Sequence, residues 1–220
     1  MAVQVKICGI TTAEAADAAL VAGADYCGLV FFPGSPRCVA PEQARALAAR
    51  LRGRTRIVAL LADAGDDAIA AAIAAASPDM LQLHGRETPD RVAGIRAQFA
   101  TPVMKAIAVA EAADLSGVAA HERVADMLMF DARAPRGAGR PGGHGAAFDW
   151  QLLRGRSFTR PWLLAGGLDA ENVARAVQAC GAPGVDASSG VESAPGVKSP
   201  ELIGAFVAAA RRAHLSGAPA

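Results

Sequence analysis

Residues 3–32 read VQVKICGITTAEAADAALVAGADYCGLVFF, a stretch in which two apolar runs flank an alanine-rich segment. The apolar runs over 3–7 and 26–32 predict buried strands, and the segment over 12–21 predicts a helix. Two strands joined by a helix in this way are typical of a parallel sheet that helices cover. This stretch therefore indicates an α/β fold.

The same alternation continues to the end of the 220 residues. We predict further strands over 57–61, 80–83, 103–107, 127–130, 162–165 and 185–187, and helical segments over 41–51, 67–75, 89–99, 111–118, 149–153, 170–179 and 200–213. Eight strand–helix units in succession favour a closed barrel over an open sheet. The predicted fold class is α/β, a single compact (β/α)8 TIM barrel over residues 1–220, with a loose tail over about 215–220.

The composition is that of a protein with a packed core. Hydrophobic residues make up 52% of the chain and charged residues 20%, proportions that argue against disorder. The 22 basic and 21 acidic residues leave a net charge of +1, which gives nucleic acid or an anionic membrane no excess charge to bind. No apolar run approaches the roughly 20 residues that span a bilayer, and the first residues do not have the layout of a secretory signal. We expect a cytoplasmic protein with no nucleic-acid and no membrane partner.

The four cysteines, Cys8, Cys27, Cys38 and Cys180, form no CxxC pair, and no histidine stands at metal-ligand spacing from any of them. Structural zinc sites usually show such spacings. We therefore expect neither a metal nor another cofactor. Free thiols are typical of a reducing compartment.

Reactive side chains stand where the predicted strands end. Barrel enzymes assemble their sites at the C-terminal ends of the strands and in the loops that follow. The residues at these ends include Cys8, Arg37, His84, Asp131 and Asp186. A thiol and a carboxyl therefore face one mouth from opposite sides of the predicted ring.

Two turns of small residues follow the seventh and eighth strands. They are Gly166-Gly167 and Ser188-Ser189-Gly190. Small residues let backbone N–H groups approach an anion, and barrels often bind phosphate at the loops after these two strands. We expect a phosphate site here, with tight chain reversal as the alternative explanation of the glycines.

Nine short segments, in order along nearly the whole chain, resemble the phosphoribosylanthranilate isomerases of tryptophan biosynthesis. These segments are KICGIT (6–11), FFPGSPR (31–37), QLHG (82–85), FD (130–131), GGHG (142–145), FDW (148–150), AGGL (165–168), VDASSGVE (185–192) and PGVK (195–198). Each segment alone is weak, but the ordered set is specific. The loop over 133–145 is somewhat longer than in compact members of this family, which bears on lid closure.

The resemblance implies an Amadori rearrangement of N-(5′-phosphoribosyl)anthranilate. An acid protonates the furanose ring oxygen, and a base removes the C2′ proton of the resulting imine. By resemblance Cys8 is the base and Asp131 is the acid. A thiol whose ordinary pKa is about 8.5 then needs a favourable field. Lys6 is expected to lie on the opposite face of the strand and to contribute nothing to that field.

The resemblance also implies a substrate-binding set. Arg37 is expected to present its planar guanidinium to the anthranilate carboxylate, with an ordinary surface arginine as the alternative. His84 either hydrogen-bonds the substrate or orders the mouth of the barrel. Asp186 either holds a ribose hydroxyl or braces the phosphate loop. The expected phosphate-binding residues are Gly142, Gly143, Gly166, Gly167, Ser188, Ser189 and Gly190.

Two rival functions stay open at this point. One is a Schiff-base aldolase or related phosphosugar enzyme that uses Lys105 as an amine nucleophile. The other is a barrel that binds a phosphorylated ligand without catalysis. Binding alone requires neither Cys8 nor Asp131, which counts against this alternative. We expect a small phosphorylated molecule as the substrate and either a monomer or a homodimer as the assembly.

Overall fold

The structure is a computed structural model that describes residues 2–133 and 147–213. The expectations for Gly142 and Gly143, for nearly all of the loop over 133–145, and for the tail over about 215–220 lie outside the described residues.

Eight parallel strands close into a barrel in sequence order, with β8 paired to β1. The strands are β1 Gln4–Cys8, β2 Tyr26–Val30, β3 Arg56–Leu61, β4 Met80–Leu83, β5 Val103–Val109, β6 Met127–Ala132, β7 Trp162–Leu164 and β8 Gly184–Ala187. The predicted (β/α)8 barrel is confirmed. All eight C-terminal strand ends therefore lie around one mouth.

Seven α-helices surround these strands in the described residues. They are α1 Ala13–Ala22, α2 Pro41–Leu51, α3 Asp66–Ala76, α4 Pro89–Phe99, α5 Val118–Glu122, α6 Val173–Cys180 and α7 Pro200–Arg212. Three of them begin with proline, which lacks the N–H that a first helical turn leaves unpaired. Thr12, Thr88 and Ser199 each cap a helix by accepting a backbone N–H.

Two predicted helical segments are shorter than expected. The segment over 111–118 is a 3-10 turn, Ala112–Leu115, followed by the short α5. At the start of that turn the Asp114 carboxylate accepts the N–H groups of Ala110 and Glu111, an arrangement known as a capping box. The segment over 149–153 is also a single 3-10 turn, Trp150–Leu153.

A small antiparallel hairpin follows β8 and was not expected from the sequence. It pairs β9, Glu192–Ala194, with β10, Val197–Lys198. Gly196 turns the chain between them with φ of 83°, a conformation that favours glycine. The hairpin carries two charged side chains, Glu192 and Lys198, to the mouth of the barrel.

Side chains alternate between the two sides of each strand. On β5, Val103 and Ile107 belong to the large apolar layer shared with the helices, whereas Met104 and Ala106 belong to a smaller cluster with Tyr26 and other residues. This smaller cluster fills the inside of the barrel. The same alternation decides which polar residues reach the mouth.

The opposite end of the barrel is held by a repeated carboxylate contact. Asp25, Asp79 and Asp126 precede β2, β4 and β6, and each accepts the backbone N–H of a residue on the strand before, at 2.7, 2.7 and 2.9 Å respectively. Pro183 stands at the corresponding position before β8, and at Gly184, the first residue of β8, a Cβ atom would lie 2.3 Å from Leu163 Cδ2. In TIM barrels this end serves stability.

Within the two described ranges, no helix is both long enough and apolar enough to cross a membrane.

Candidate active site

Cys8 ends β1 with its side chain almost fully buried, 4% exposed. Lys6 precedes it by two residues and lies on the same side of the strand, because alternate residues of a strand share a face. The expectation that Lys6 lies on the opposite face is therefore wrong. The Lys6 Nζ is completely buried and donates a hydrogen bond of 2.8 Å to Asp186 Oδ1 on β8.

Two opposing influences act on the Cys8 thiol. Burial raises its pKa, and the nearby Asp186 carboxylate adds to this effect. The Lys6 and Lys198 ammonium groups act in the other direction, Lys6 most strongly. The net result is a pKa above the ordinary thiol value, so the thiolate is a minor species in the protein alone at neutral pH.

Asp131 lies near the end of β6 and is 7% exposed. Its Oδ2 lies 2.9 Å from His84 Nε2, and its Oδ1 accepts the backbone N–H of Ala132 at 2.8 Å. Gly166 leaves room for this carboxyl, because a Cβ atom there would lie 3.0 Å from Asp131 Oδ1 and 2.6 Å from the nitrogen of Ala132. The glycine also has φ of 91°, which a larger residue rarely adopts.

His84 connects Asp131 to a buried amide. Its Nδ1 lies 2.8 Å from Nε2 of Gln82, a side chain with no exposed surface inside β4. The ring thus has one nitrogen toward Gln82 and the other, Nε2, toward Asp131, and which of the two carries the proton depends on the tautomer. The geometry favours the ordering role over a direct substrate contact. Sequence reasoning missed Gln82, although it is a polar residue two positions before His84 in an apolar strand.

Arg37 is buried at the mouth, 5% exposed, but its guanidinium already has a partner. Nε and Nη2 donate to the two oxygens of Glu192 at 2.7 and 2.8 Å. Lys198 Nζ donates to the same carboxylate at 2.6 Å. Burial alone raises the pKa of Glu192, but the two cations outweigh it and hold that pKa below its usual range. The surface-arginine alternative is wrong, and only the Nη1 side of Arg37 is left for a substrate carboxylate.

The residues expected to bind phosphate lie in two loops that pack together. Gly166 and Gly167 have φ of 91° and 61° after β7. A Cβ atom on Gly190 would lie 2.0 Å from the carbonyl oxygen of Leu168, so the loop after β8 lies directly against this one. Among described residues, the N–H groups of Gly166 and Gly167 have no hydrogen-bond partner, as an anion site requires.

The loop after β8 is also tied to Cys8 and to a cation. Ser188 Oγ donates to the Cys8 carbonyl oxygen at 3.1 Å, and Lys198 Nζ donates to the Ser188 carbonyl oxygen at 2.9 Å. Ser189 opens a 3-10 turn, Ser189–Val191. Lys198 thus places a buried positive charge beside the turn expected to hold phosphate. Sequence reasoning gave Lys198 and Glu192 no role, although both stand in quoted segments.

Asp186 has a partner that was not expected from the sequence. Its Oδ1 is taken by the Lys6 ammonium, inside the barrel and below the thiol. The carboxylate therefore neutralises a buried cation. This role was hidden from sequence reasoning because 180 residues separate the two partners.

Lys105 is not available as an amine nucleophile. It shares its side of β5 with Val103 and Ile107, which pack in the outer apolar layer. Its Nζ donates to Glu87 Oε2 at 2.8 Å and to the carbonyl oxygens of Gly85 and Leu83 at 2.7 and 3.2 Å. The aldolase alternative is therefore wrong. The buried ion pair instead braces the loop that carries His84.

Within residues 2–133 and 147–213, no group of three or more His, Cys, Asp or Glu side chains is arranged to hold a metal ion. The polar groups at the mouth are engaged with one another, as a thiol beside an ion pair and a carboxyl beside an imidazole. Such a set supplies one base and one acid.

Comparison with known sequences identifies one family. A sequence profile described as N-(5′-phosphoribosyl)anthranilate (PRA) isomerase matches residues 5–209. The N-(5′-phosphoribosyl)anthranilate isomerase of Rhodopseudomonas palustris is 56% identical over 211 residues, which are 96% of this chain and 97% of that protein. The enzyme of the same name from Azorhizobium caulinodans is 53% identical over 219 residues, 100% and 96% of the two chains.

Solved structures agree with this result. Phosphoribosylanthranilate isomerase from Thermotoga maritima superposes with a TM-score of 0.85 at 33% identity, over 94% of this chain and 98% of that one. A phosphoribosylanthranilate isomerase bound to reduced 1-(o-carboxyphenylamino)-1-deoxyribulose 5-phosphate gives 0.81 at 31% identity, with the same shares. Monomers made from the dimeric T. maritima enzyme give 0.81 at 32% identity, again over 94% and 98%.

Proposed function

The chain belongs to the N-(5′-phosphoribosyl)anthranilate isomerase family, and we propose that its Cys8 and Asp131 divide the acid–base chemistry of that isomerisation in tryptophan biosynthesis. The observation that carries this assignment is a pair of ionisable groups at the barrel mouth, each beside a different partner. One is a buried thiol beside a lysine ammonium, and the other is a buried carboxyl held by an imidazole.

Ring opening is the task of Asp131. The carboxyl gives its proton to the furanose oxygen while the C1′–O bond breaks and the nitrogen lone pair forms a C1′=N iminium. Its hydrogen bond with His84 Nε2 restricts rotation of the carboxyl. This restriction keeps the acid where the ring oxygen must meet it.

Formation of the enolamine is the task of Cys8. The thiolate takes the C2′ proton, the C–H electrons form a C1′=C2′ bond, and the C=N electrons return to nitrogen. The iminium makes this proton acidic, because it accepts the electron pair. The enolamine then tautomerises to the ketone, 1-(2-carboxyphenylamino)-1-deoxyribulose 5-phosphate.

The substrate phosphate binds, in this proposal, between the loops after β7 and β8. The N–H groups of Gly166 and Gly167, which have no partner among the described residues, the adjacent turn over 188–190 and the Lys198 ammonium support this position. Gly142 and Gly143 are included on resemblance alone.

At the other end of the substrate, Arg37 Nη1 receives the anthranilate carboxylate. Glu192 supports this role by fixing the opposite edge of the guanidinium. A guanidinium held on one edge loses little further conformational freedom when it binds a carboxylate on the other.

All these groups belong to one chain, so we place the whole activity in one subunit, whether the protein is a monomer or a homodimer. The relative from T. maritima is described both as a dimer and as derived monomers. The cytoplasm is our proposed compartment, and four unpaired cysteines support it, since the mechanism needs a free thiol at Cys8.

The test is fluorescence-followed conversion of freshly made phosphoribosylanthranilate with EDTA present. We expect Cys8→Ala and Asp131→Asn each to lower kcat by about 10²- to 10⁴-fold, the usual contribution of a general acid or base, while product affinity is largely kept. Cys38→Ser, which changes an exposed thiol, is the control and should leave turnover unchanged. Near-normal turnover in either active-site variant would show that the assigned residue is not the acid or the base.

A further inference from the structure

Lys6 is a buried cation that the proposed acid–base steps do not use directly. Its side chain has no exposed surface, and a lysine in that position is costly to bury unless its charge is compensated. Asp186 supplies part of the compensation at 2.8 Å. An ion pair inside a barrel is weak support for stability, because two apolar side chains commonly serve as well. Stability alone therefore does not account for this buried pair.

The register of the barrel brings Lys6 and the thiol to one place beside Gly28. Cys8 pairs with Gly28 on β2, and Lys6 precedes Cys8 on the same face of β1. A Cβ atom on Gly28 would lie 3.0 Å from Cys8 Sγ and 3.3 Å from Lys6 Nζ. One small space is thus bordered by both atoms. A side chain at Gly28 would occupy that space and separate the thiol from the ammonium.

We propose that Lys6 is a positioning residue for the isomerisation, whose ammonium, anchored by Asp186, stabilises the Cys8 thiolate when the base forms. This inference rests on the proposed role of Cys8. The Cys8 proton leaves the sulfur, and the negative charge that stays there is met by a fixed cation in a site from which water is largely excluded. A preorganised charge of this kind acts without reorganisation at the moment of reaction.

Other charged groups also face the thiol. Asp186 raises the Cys8 pKa but more weakly than Lys6 lowers it, and Lys198 lowers that pKa more weakly still. Lys198 is held by the Glu192 carboxylate at 2.6 Å, and Arg37 is paired with that same carboxylate. Lys6 is therefore the dominant favourable charge on the thiolate.

The experiment measures the ionisation of Cys8 without substrate. Iodoacetamide alkylates the thiolate, and the Cys8 peptide is followed by mass spectrometry from neutral to alkaline pH. We expect Lys6→Met to lower the alkylation rate at neutral pH by about tenfold or more, since a unit charge at this range is worth at least one pKa unit. Lys6→Arg should restore most of the rate. The low-pH limb of kcat/KM should move upward with the alkylation midpoint.

Two further variants keep the test decisive. Lys6→Met leaves Asp186 unpaired, so the double variant Lys6→Met with Asp186→Asn removes both charges and should still shift the midpoint upward, by less. Lys105→Met removes another buried, ion-paired lysine and is the control for lost stability. It should leave the Cys8 midpoint where it is in the unsubstituted protein.

The outcomes separate this inference from the assignment of the base. An unchanged Cys8 midpoint in the double variant would overturn the role of Lys6, even with Cys8→Ala inactive. Normal turnover of Cys8→Ala would instead overturn the role of Cys8, whatever the alkylation rates show. Equal midpoint shifts in the Lys6 and Lys105 variants would mean that loosened structure, and not the local charge, controls the thiol, and would also overturn the proposal.

Discussion

Substitution of His84 by alanine tests whether this histidine acts through Asp131. The change removes the 2.9 Å hydrogen bond from Nε2 to Asp131 Oδ2 and leaves Gln82 without its 2.8 Å partner at Nδ1. It leaves the acid itself in place. The loss should therefore fall on the positioning of Asp131 and not on the proton that it carries.

The size of the effect follows from the kind of contact that is lost. Hydrogen bonds to charged groups contribute about 1.5–3 kcal/mol, and about 1.4 kcal/mol corresponds to a tenfold change in rate. If the contact is fully used in the transition state, kcat falls by about 10- to 150-fold. KM should change little, because the phosphate loops and Arg37 are untouched. His121→Ala, at a half-buried histidine on α5, is the control and should keep normal kcat.

The assay is fluorescence-followed turnover in a double-mutant cycle of His84→Ala with Asp131→Asn. If His84 acts through Asp131, its substitution costs nearly nothing once the carboxyl is already an amide. The same 10- to 150-fold loss in the Asp131→Asn background would refute the reasoning. It would assign His84 a direct contact with the substrate, as would a loss confined to KM.

Two further predictions concern stability. Asp79→Ala should lower the free energy of unfolding by about 1–3 kcal/mol, because it leaves the buried N–H at the start of β3 without an acceptor. It should leave kcat unchanged, since the active site lies at the other end of the barrel. Urea unfolding and turnover assays measure the two quantities, and a large loss of kcat would contradict the division between the two ends. Burial raises the pKa of Cys27 to about 12. Between the pKa of the unfolded thiol and about pH 12, the thiol is mostly neutral in the folded state and increasingly ionised in the unfolded state. The free energy of unfolding therefore falls as pH rises through this window. The loss should reach about 2–3 kcal/mol near pH 11, and Cys27→Ala should abolish this part of the alkaline slope, whereas an identical slope in the variant would contradict it.

Local sequence patterns predicted most of the fold. The apolar runs of β1 to β8 and the proline or threonine starts of the helices are features of a few neighbouring residues, so they can be read along the chain. The hairpin of β9 and β10 was missed because strands of three and two residues are too short to show an alternating pattern. The segments over 111–118 and 149–153 were predicted as regular helices, whereas each holds a single 3-10 turn, followed in the first case by the short α5.

The sequence by itself determined that a thiol and a carboxyl end two strands of one barrel, because a strand end is a local feature. The sequence also sufficed to place Lys6 and Cys8 on one face, since residues two positions apart on a strand share a side. Only the tertiary structure decided the partners: Asp186 for Lys6, Glu192 for Arg37 and His84 for Asp131. These pairs are separated by 180, 155 and 47 residues. They meet only because the strands pair in a fixed register and β8 closes against β1, and no run of neighbouring residues encodes that closure.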